Sequence, residues 1–103
     1  MHCSVTLMVF TGKVNFQVFL EKHNKFQVPK LIREEYRIEK SQGLKVGVSN
    51  LRATDQWYFF HARMDQQGRI SLPLLTLNLM SKDEIQNVPG DIFDVTLESS
   101  DQT

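Results

Sequence analysis

The sequence predicts a mostly β domain with two short helices, in which the order strand–strand–helix–strand runs twice along 103 residues. Three observations predict it. Apolar residues alternate with polar ones over several short runs, the period-two signature of half-buried strands. A proline closes a short strand and opens an apolar-patterned segment at two places, Pro29 and Pro73. Turn residues (Gly12, Asn24, Gly43, Gly68, Gly90) punctuate the runs between them.

The elements follow in order. Met1 to Thr11 reads as a strand, with Cys3, Val5, Leu7 and Val9 on one face, and Gly12-Lys13 turns the chain. Val14, Phe16, Val18 and Leu20 alternate with Asn15, Gln17 and Glu21, leaving Phe19 as an outward aromatic. A tight turn at His23-Asn24 precedes the strand Phe26 to Val28. Pro29 then starts a helix whose apolar stripe is Leu31, Ile32, Tyr36 and Ile38. After Ser41-Gln42-Gly43 comes the strand Leu44 to Val48.

The second round begins with Tyr58, Phe60, Ala62 and Met64, turns at Asp65 to Gly68 and continues as the strand Arg69 to Leu72. Pro73 opens a helix over Leu74 to Met80, and Ser81 with Glu84 has the spacing of a capping box for one further turn. Pro89-Gly90 fits a type II turn, which needs φ > 0 at its third residue. Asp91 to Leu97 is the closing strand, and Glu98 to Thr103 is a polar tail.

Superposing the two rounds makes a repeat of residues 14–50 and 58–98. Lys25-Phe26-Gln27-Val28-Pro29 matches Arg69-Ile70-Ser71-Leu72-Pro73 at an offset of 44, with Phe16 on Phe60 and Asn24 on Gly68. Gly43 to Val48 matches Gly90 to Val95 at an offset of 47, which implies a three-residue insertion after the second helix.

Bulk composition bounds the function. One domain, 1–103, is what a chain this short can bury, and an apolar share of 41% argues against disorder. Cys3 to Phe10 is too short to cross a bilayer and lacks the features of a signal peptide. A lone cysteine excludes internal disulfides and suits the cytoplasm. Net charge is zero, yet residues 1–56 carry nine Lys/Arg against five Asp/Glu (+4), and the rest carry three against seven (−4). His2, His23 and His61 are scattered, with no metal-ligand spacing. No nucleophile elbow, phosphate loop or dinucleotide fingerprint is present, so no enzyme and no cofactor are expected.

Met64-Asp65-Gln66-Gln67-Gly68-Arg69-Ile70-Ser71-Leu72-Pro73 resembles the opening of an AbrB/MazE/SpoVT-type repeat, D-x-x-G-R-[apolar]-x-[apolar]-P. Val28-Pro29-Lys30-Leu31-Ile32-Arg33 through Ile38 is similar to that family's proline-initiated helix, and Val88-Pro89-Gly90-Asp91 through Val95 to its G-D ending. The resemblance implies a swapped-hairpin or cradle-loop β-barrel with internal pseudo-twofold symmetry, here closed by two repeats on one chain as a monomer or in a homodimer. It further implies a DNA-binding transcriptional regulator. Departures are plain: Asn24-Lys25 replaces Gly-Arg, Arg37 stands where the family usually has Gly, and Leu74, Thr76 and Leu77 leave the second helix without its cations.

Lys30, Arg33, Arg37 and Lys40 recur at spacings of three, four and three, which on a helix is one basic face, with Lys22 and Lys25 on the hairpin before it. Convergent cations suit phosphate oxygens. On the resemblance Lys25, Lys30, Arg33 and Arg69 take positions where the family places cations for DNA, and the candidate DNA-binding set is Lys25, Lys30, Arg33, Arg37 and Arg69. The bland reading is a solvated face neutralised by Glu34, Glu35 and Glu39. Trp57, Phe59 and His61 point away from their strand's buried side, as a stacking row or as packing beneath another segment. Two functions therefore compete: double-stranded DNA binding, or a non-catalytic barrel that binds a protein or a small ligand.

Overall fold

The computed structural model of the protein describes residues 12–100. The strand expected over 1–11 and the last three residues of the polar tail lie outside the described residues. Eight elements follow one another: β1 (Lys13–Phe19), β2 (Lys25–Gln27), α1 (Lys30–Glu35), β3 (Leu44–Asn50), β4 (Tyr58–Ala62), β5 (Arg69–Ser71), α2 (Leu74–Lys82) and β6 (Ile92–Ser99). The protein is mostly β with two helices, and the order strand–strand–helix–strand occurs twice.

The strands form two antiparallel sheets. One has the order β1-β6-β3-β4 and the other pairs β2 with β5. No closed barrel is found among the described residues: β1 and β4 are each paired on one side, and the three-residue strands β2 and β5 pair with each other. One face of the large sheet carries Val14, Phe16, Leu44, Val46, Val48, Phe93, Val95 and Leu97, all buried. Phe26 and Ile70 stand opposite one another in the small sheet, both wholly buried, and complete the core with Val28, Leu72 and Met80. Burying this continuous apolar set is what drives the alternating segments together.

The two rounds share hydrogen bonds as well as order. Val28 N–H donates to Gly68 O and Leu72 N–H to Asn24 O, a reciprocal pair at an offset of 44. The helix ends match at 47: Arg37 N–H donates to Glu34 O and Ile38 N–H to Arg33 O, as Glu84 N–H does to Ser81 O and Ile85 N–H to Met80 O. These are Schellman closures, and they hold Arg37 at φ 57° and Glu84 at φ 64°, the left-handed conformation usually taken by Gly. The last strands match at 49, not 47. Phe16 pairs with Val95 and Phe60 with Val46, while Gln42 donates to Ser99 as Asn50 does to Asp91. Three extra residues thus lengthen α2 and two more lie in the loop before β6. A two-residue slide preserves the apolar alternation, so periodicity alone cannot detect it.

Local expectations also change. Lys13 is already in β1, β2 starts at Lys25, and β6 runs on to Ser99. Ser81 lies inside α2, which continues to Lys82, so the expected capping box does not form. α1 has six residues, and its expected apolar stripe is broken: Leu31 is 77% and Tyr36 38% exposed. Ile38 reaches the core from beyond the helix, because the reversal at Arg37 turns it inward. Gly90 has φ 96°, and Asp91 N–H donates to Val88 O, in keeping with the type II turn.

Candidate nucleic-acid interface

The turn Asp65–Gly68 is the centre of the site. Asp65 Oδ1 accepts from the N–H groups of Gln67 (2.8 Å) and Arg69 (3.0 Å), and Gly68 takes φ 80°. The Arg69 N–H leads the effects that hold the Asp65 carboxyl below its ordinary value. Slight desolvation opposes them, while the Gln67 N–H and the charges of Lys25 and Arg69 add to the lowering.

Cations gather around this turn from both rounds of the chain. Arg33 donates through Nε to Val28 O (3.0 Å) and lays its guanidinium on Gly68, so closely that a Cβ there would come within 2.8 Å of Cζ. The φ favours glycine at this position, and the Arg33 guanidinium lies in the space a Cβ would take. Lys40 Nζ donates to Gln66 Oε1 at 3.1 Å. Arg33, Arg37, Lys40 and Gln66 line one concavity of about 520 Å³, which Ile38 and Met64 also line. Glu34 and Glu39 are the carboxylates on its wall.

The five residues expected to bind DNA divide. Arg33 and Arg37 meet in this concavity. Lys25, at the start of β2, lies within electrostatic reach of Asp65. Arg69 is engaged by neighbouring side chains at the surface, donating through Nε to Glu21 Oε1 at 2.7 Å and through Nη1 to Gln67 Oε1. Lys30 stands apart, with a 78% exposed side chain 4.0 Å from Glu34. The single basic helix face does not exist as such, because Arg37 and Lys40 lie past the end of α1. The left-handed turn at Arg37 gathers them instead. Gln66 carries no signal in the sequence beyond its place in the D-x-x-G turn.

A second concavity, of about 580 Å³, is lined by Asn24, Leu77, Ser81, Glu84, Ile85 and Asn87. By the hydrogen-bond offsets Asn24 corresponds to Gly68, and Ser81, Glu84, Ile85 and Asn87 to Glu34, Arg37, Ile38 and Lys40, while Arg33 falls on Leu77 by the start of the helix and on Met80 by its end. Each round thus carries a hollow at the end of its helix, one lined by three cations and the other by none.

Beside the second hollow, Asp91 ties the loops together. It accepts from Arg52 (2.7 Å), Asn50 (3.0 Å) and the Val88 N–H (3.0 Å). Burial pushes its carboxyl up, but those donors outweigh it and hold it below the usual value of 3.8. A carboxyl lowered in the folded state contributes stability above its unfolded value and loses it as the pH falls. Urea midpoints measured from about pH 5 to pH 2 should therefore drop for the wild type and flatten for Asp91→Asn. Tyr58, desolvated by burial and donating to Asp83 at the end of α2, has its phenol raised to about 12.

On the outer face of the large sheet, Trp57 and Phe59 stack at 6.3 Å. Lys45 Nζ sits 5.7 Å above the Phe59 ring, and that ring covers Gly47, where a Cβ would meet it at 2.6 Å. Trp57 and Phe59 thus lie against each other, and Phe59 against Lys45 and Gly47, while the Phe59 ring stays 60% exposed.

No protein-family profile and no curated protein matches the chain. The solution structure of PHS018 from Pyrococcus horikoshii is similar to it, with a TM-score of 0.67 over 88% of this chain and 91% of that one at 20% identity. Such a likeness shows a common fold. Among the described residues, no helix is long and apolar enough to cross a membrane.

Proposed function

We propose that the protein is a non-catalytic binder of duplex DNA, an AbrB-like regulator of transcription that grips phosphates with the basic concavity beside the Asp65–Gly68 turn. The observation that carries this reading is the convergence of Arg33, Arg37 and Lys40 on one hollow. Several cations aimed at one place are what phosphate oxygens need, and Arg can engage them with paired N–H donors. The reciprocal hydrogen bonds support an internal duplication with pseudo-twofold symmetry, related to the swapped-hairpin and cradle-loop barrels. In this reading the chain works in the cytoplasm, where a single cysteine stays reduced.

Fluorescence anisotropy with mixed-sequence duplex DNA tests it. Binding should weaken linearly in log–log form with salt, and Arg33→Ala or Lys40→Ala should each lower affinity several-fold and flatten that slope by about one phosphate contact. Lys30→Ala should matter less. Absence of binding at low salt, or indifference to both concavity variants, removes the proposal. The second reading, a module for a protein or small ligand, draws on the cation-free second hollow and the zero net charge, and would be left standing by that outcome.

A further inference from the structure

The second hollow has a chemistry of its own. It lies where α2 ends: Leu77 and Ser81 are one turn apart on a single helix face, and Glu84 and Ile85 follow at the left-handed turn that closes the helix. Leu77 and Ile85, half-buried against the core, supply its aliphatic lining. Asn24, Ser81 and Glu84 bring side-chain oxygens to it, and among the described residues none of these three side chains makes a hydrogen bond or an ion pair. Asn87, by contrast, is already engaged, donating to Met80 Sδ at 3.2 Å and accepting from Asn50 at 3.0 Å. Lys22 and Lys82, the cations nearest in sequence, do not line the hollow.

We propose that this hollow binds an alkylammonium group, carried either by a free amine or by a lysine side chain. The Glu84 carboxylate adds to the negative end of the α2 dipole, and no lining residue offsets them, so a cation is drawn in and an anion is repelled. An ammonium is three donors with no acceptor. Asn24 Oδ1, Ser81 Oγ and the Glu84 carboxylate offer it three acceptors, one of them in a charge-assisted bond. The methylenes behind the ammonium then lie on Leu77 and Ile85, as lysine stems lie on apolar surface elsewhere. A divalent metal fits poorly, because a hard cation wants roughly six or more oxygen ligands and the wall holds one carboxylate. With a single exposed carboxylate the binding is weak and saturates at millimolar amine. The assignment gives the second reading above its ligand class and does not rest on DNA binding, since none of these residues lines the basic concavity.

Two-dimensional amide NMR of the full chain, titrated with n-butylammonium chloride at constant ionic strength, tests the assignment. The signals of Leu77, Ser81, Glu84 and Ile85 should move and saturate, while n-butanol, the uncharged counterpart, should leave them in place at the same concentrations. Glu84→Gln should weaken binding several-fold with the rest of the spectrum unchanged, whereas Glu35→Gln, on the exposed surface of α1, should not. If Glu84→Gln loses its fold, the butanol comparison on the wild type and a several-fold loss in Ser81→Ala decide. Nα-acetyl-lysine N-methylamide carries the same ammonium on the same chain with a peptide backbone attached. Tighter binding than n-butylammonium assigns the hollow to a lysine of a protein partner, equal or weaker binding to a free amine, and either upholds the proposal. Equal shifts with n-butanol overturn it, as do shifts that scatter over the surface carboxylates without saturating, or binding indifferent to Glu84→Gln. A failure to bind duplex DNA leaves every one of these outcomes untouched, so the two proposals fail separately.

Discussion

Phe26→Ala is expected to lower the folding free energy by roughly 3–5 kcal/mol, against the roughly 5–15 kcal/mol typical of a domain. The size of the effect follows from where the ring sits. β2 and β5 are three residues each, and Phe26 and Ile70 are the central pair of their two-stranded sheet, both fully buried. Two such short strands have little hydrogen bonding of their own to hold them, and an isolated two-stranded sheet is marginal in water. The apolar contact across this pair, with the reciprocal bonds from Val28 to Gly68 and from Leu72 to Asn24, is what joins the two rounds of the chain at this end. Removing the ring leaves a cavity at that joint, and little nearby can collapse to fill it. Phe19→Ala is the control, since that ring is 65% exposed and its loss should stay within about 0.5 kcal/mol. Urea denaturation of both variants gives the comparison. Similar midpoints would mean that the small sheet is dispensable.

The strands are readable from the alternation of Val14-Phe16-Val18 and Phe93-Val95-Leu97, because each has one buried face. The helices are readable as starts rather than as lengths. Pro29 and Pro73 both precede the first helical residue, but the end of α1 depends on Arg37 adopting φ 57°, which no local residue preference signals. Helical spacing puts Leu31, Ile32, Tyr36 and Ile38 inside together; Leu31 and Tyr36 are exposed, and Ile38 is buried by way of the reversal instead of by the helix. The offset of the last strands is hidden too, because 47 and 49 present the same apolar face. At the site, the cations are visible in the sequence and their reason for meeting is not. Arg33 comes from α1, while Arg37 and Lys40 come from the loop after it, and Gln66 arrives from the other round of the chain. Arg69 looks uncommitted in the sequence, because its partner Glu21 lies 48 residues away. The loop clamp of Asn50, Arg52 and Asp91 spans a comparable distance and has no local pattern at all.

Exchanging charge between the two hollows should move DNA affinity in opposite directions. Arg37 and Glu84 occupy equivalent places: each is the left-handed residue closing its helix, at φ 57° and 64°, and each lines its own concavity. A backbone that already accepts Arg at one position can accept it at the other, so Glu84→Arg should fold normally. The second hollow would then gain a cation and lose a carboxylate, offering one more phosphate contact. One contact changes the log–log salt slope by about 0.9, which at low salt is worth on the order of ten-fold in affinity. Arg37→Glu should lose a similar factor or more, since it places a carboxylate among the ligands of the same phosphate. The double exchange, Arg37→Glu with Glu84→Arg, restores the net charge and leaves Arg33 and Lys40 beside the wrong sign. If binding depends on convergent cations, the double variant stays weak although its charge equals that of the wild type. Recovery of wild-type affinity in the double variant would show that overall charge governs the interaction, and the basic concavity would then have no privileged part in it.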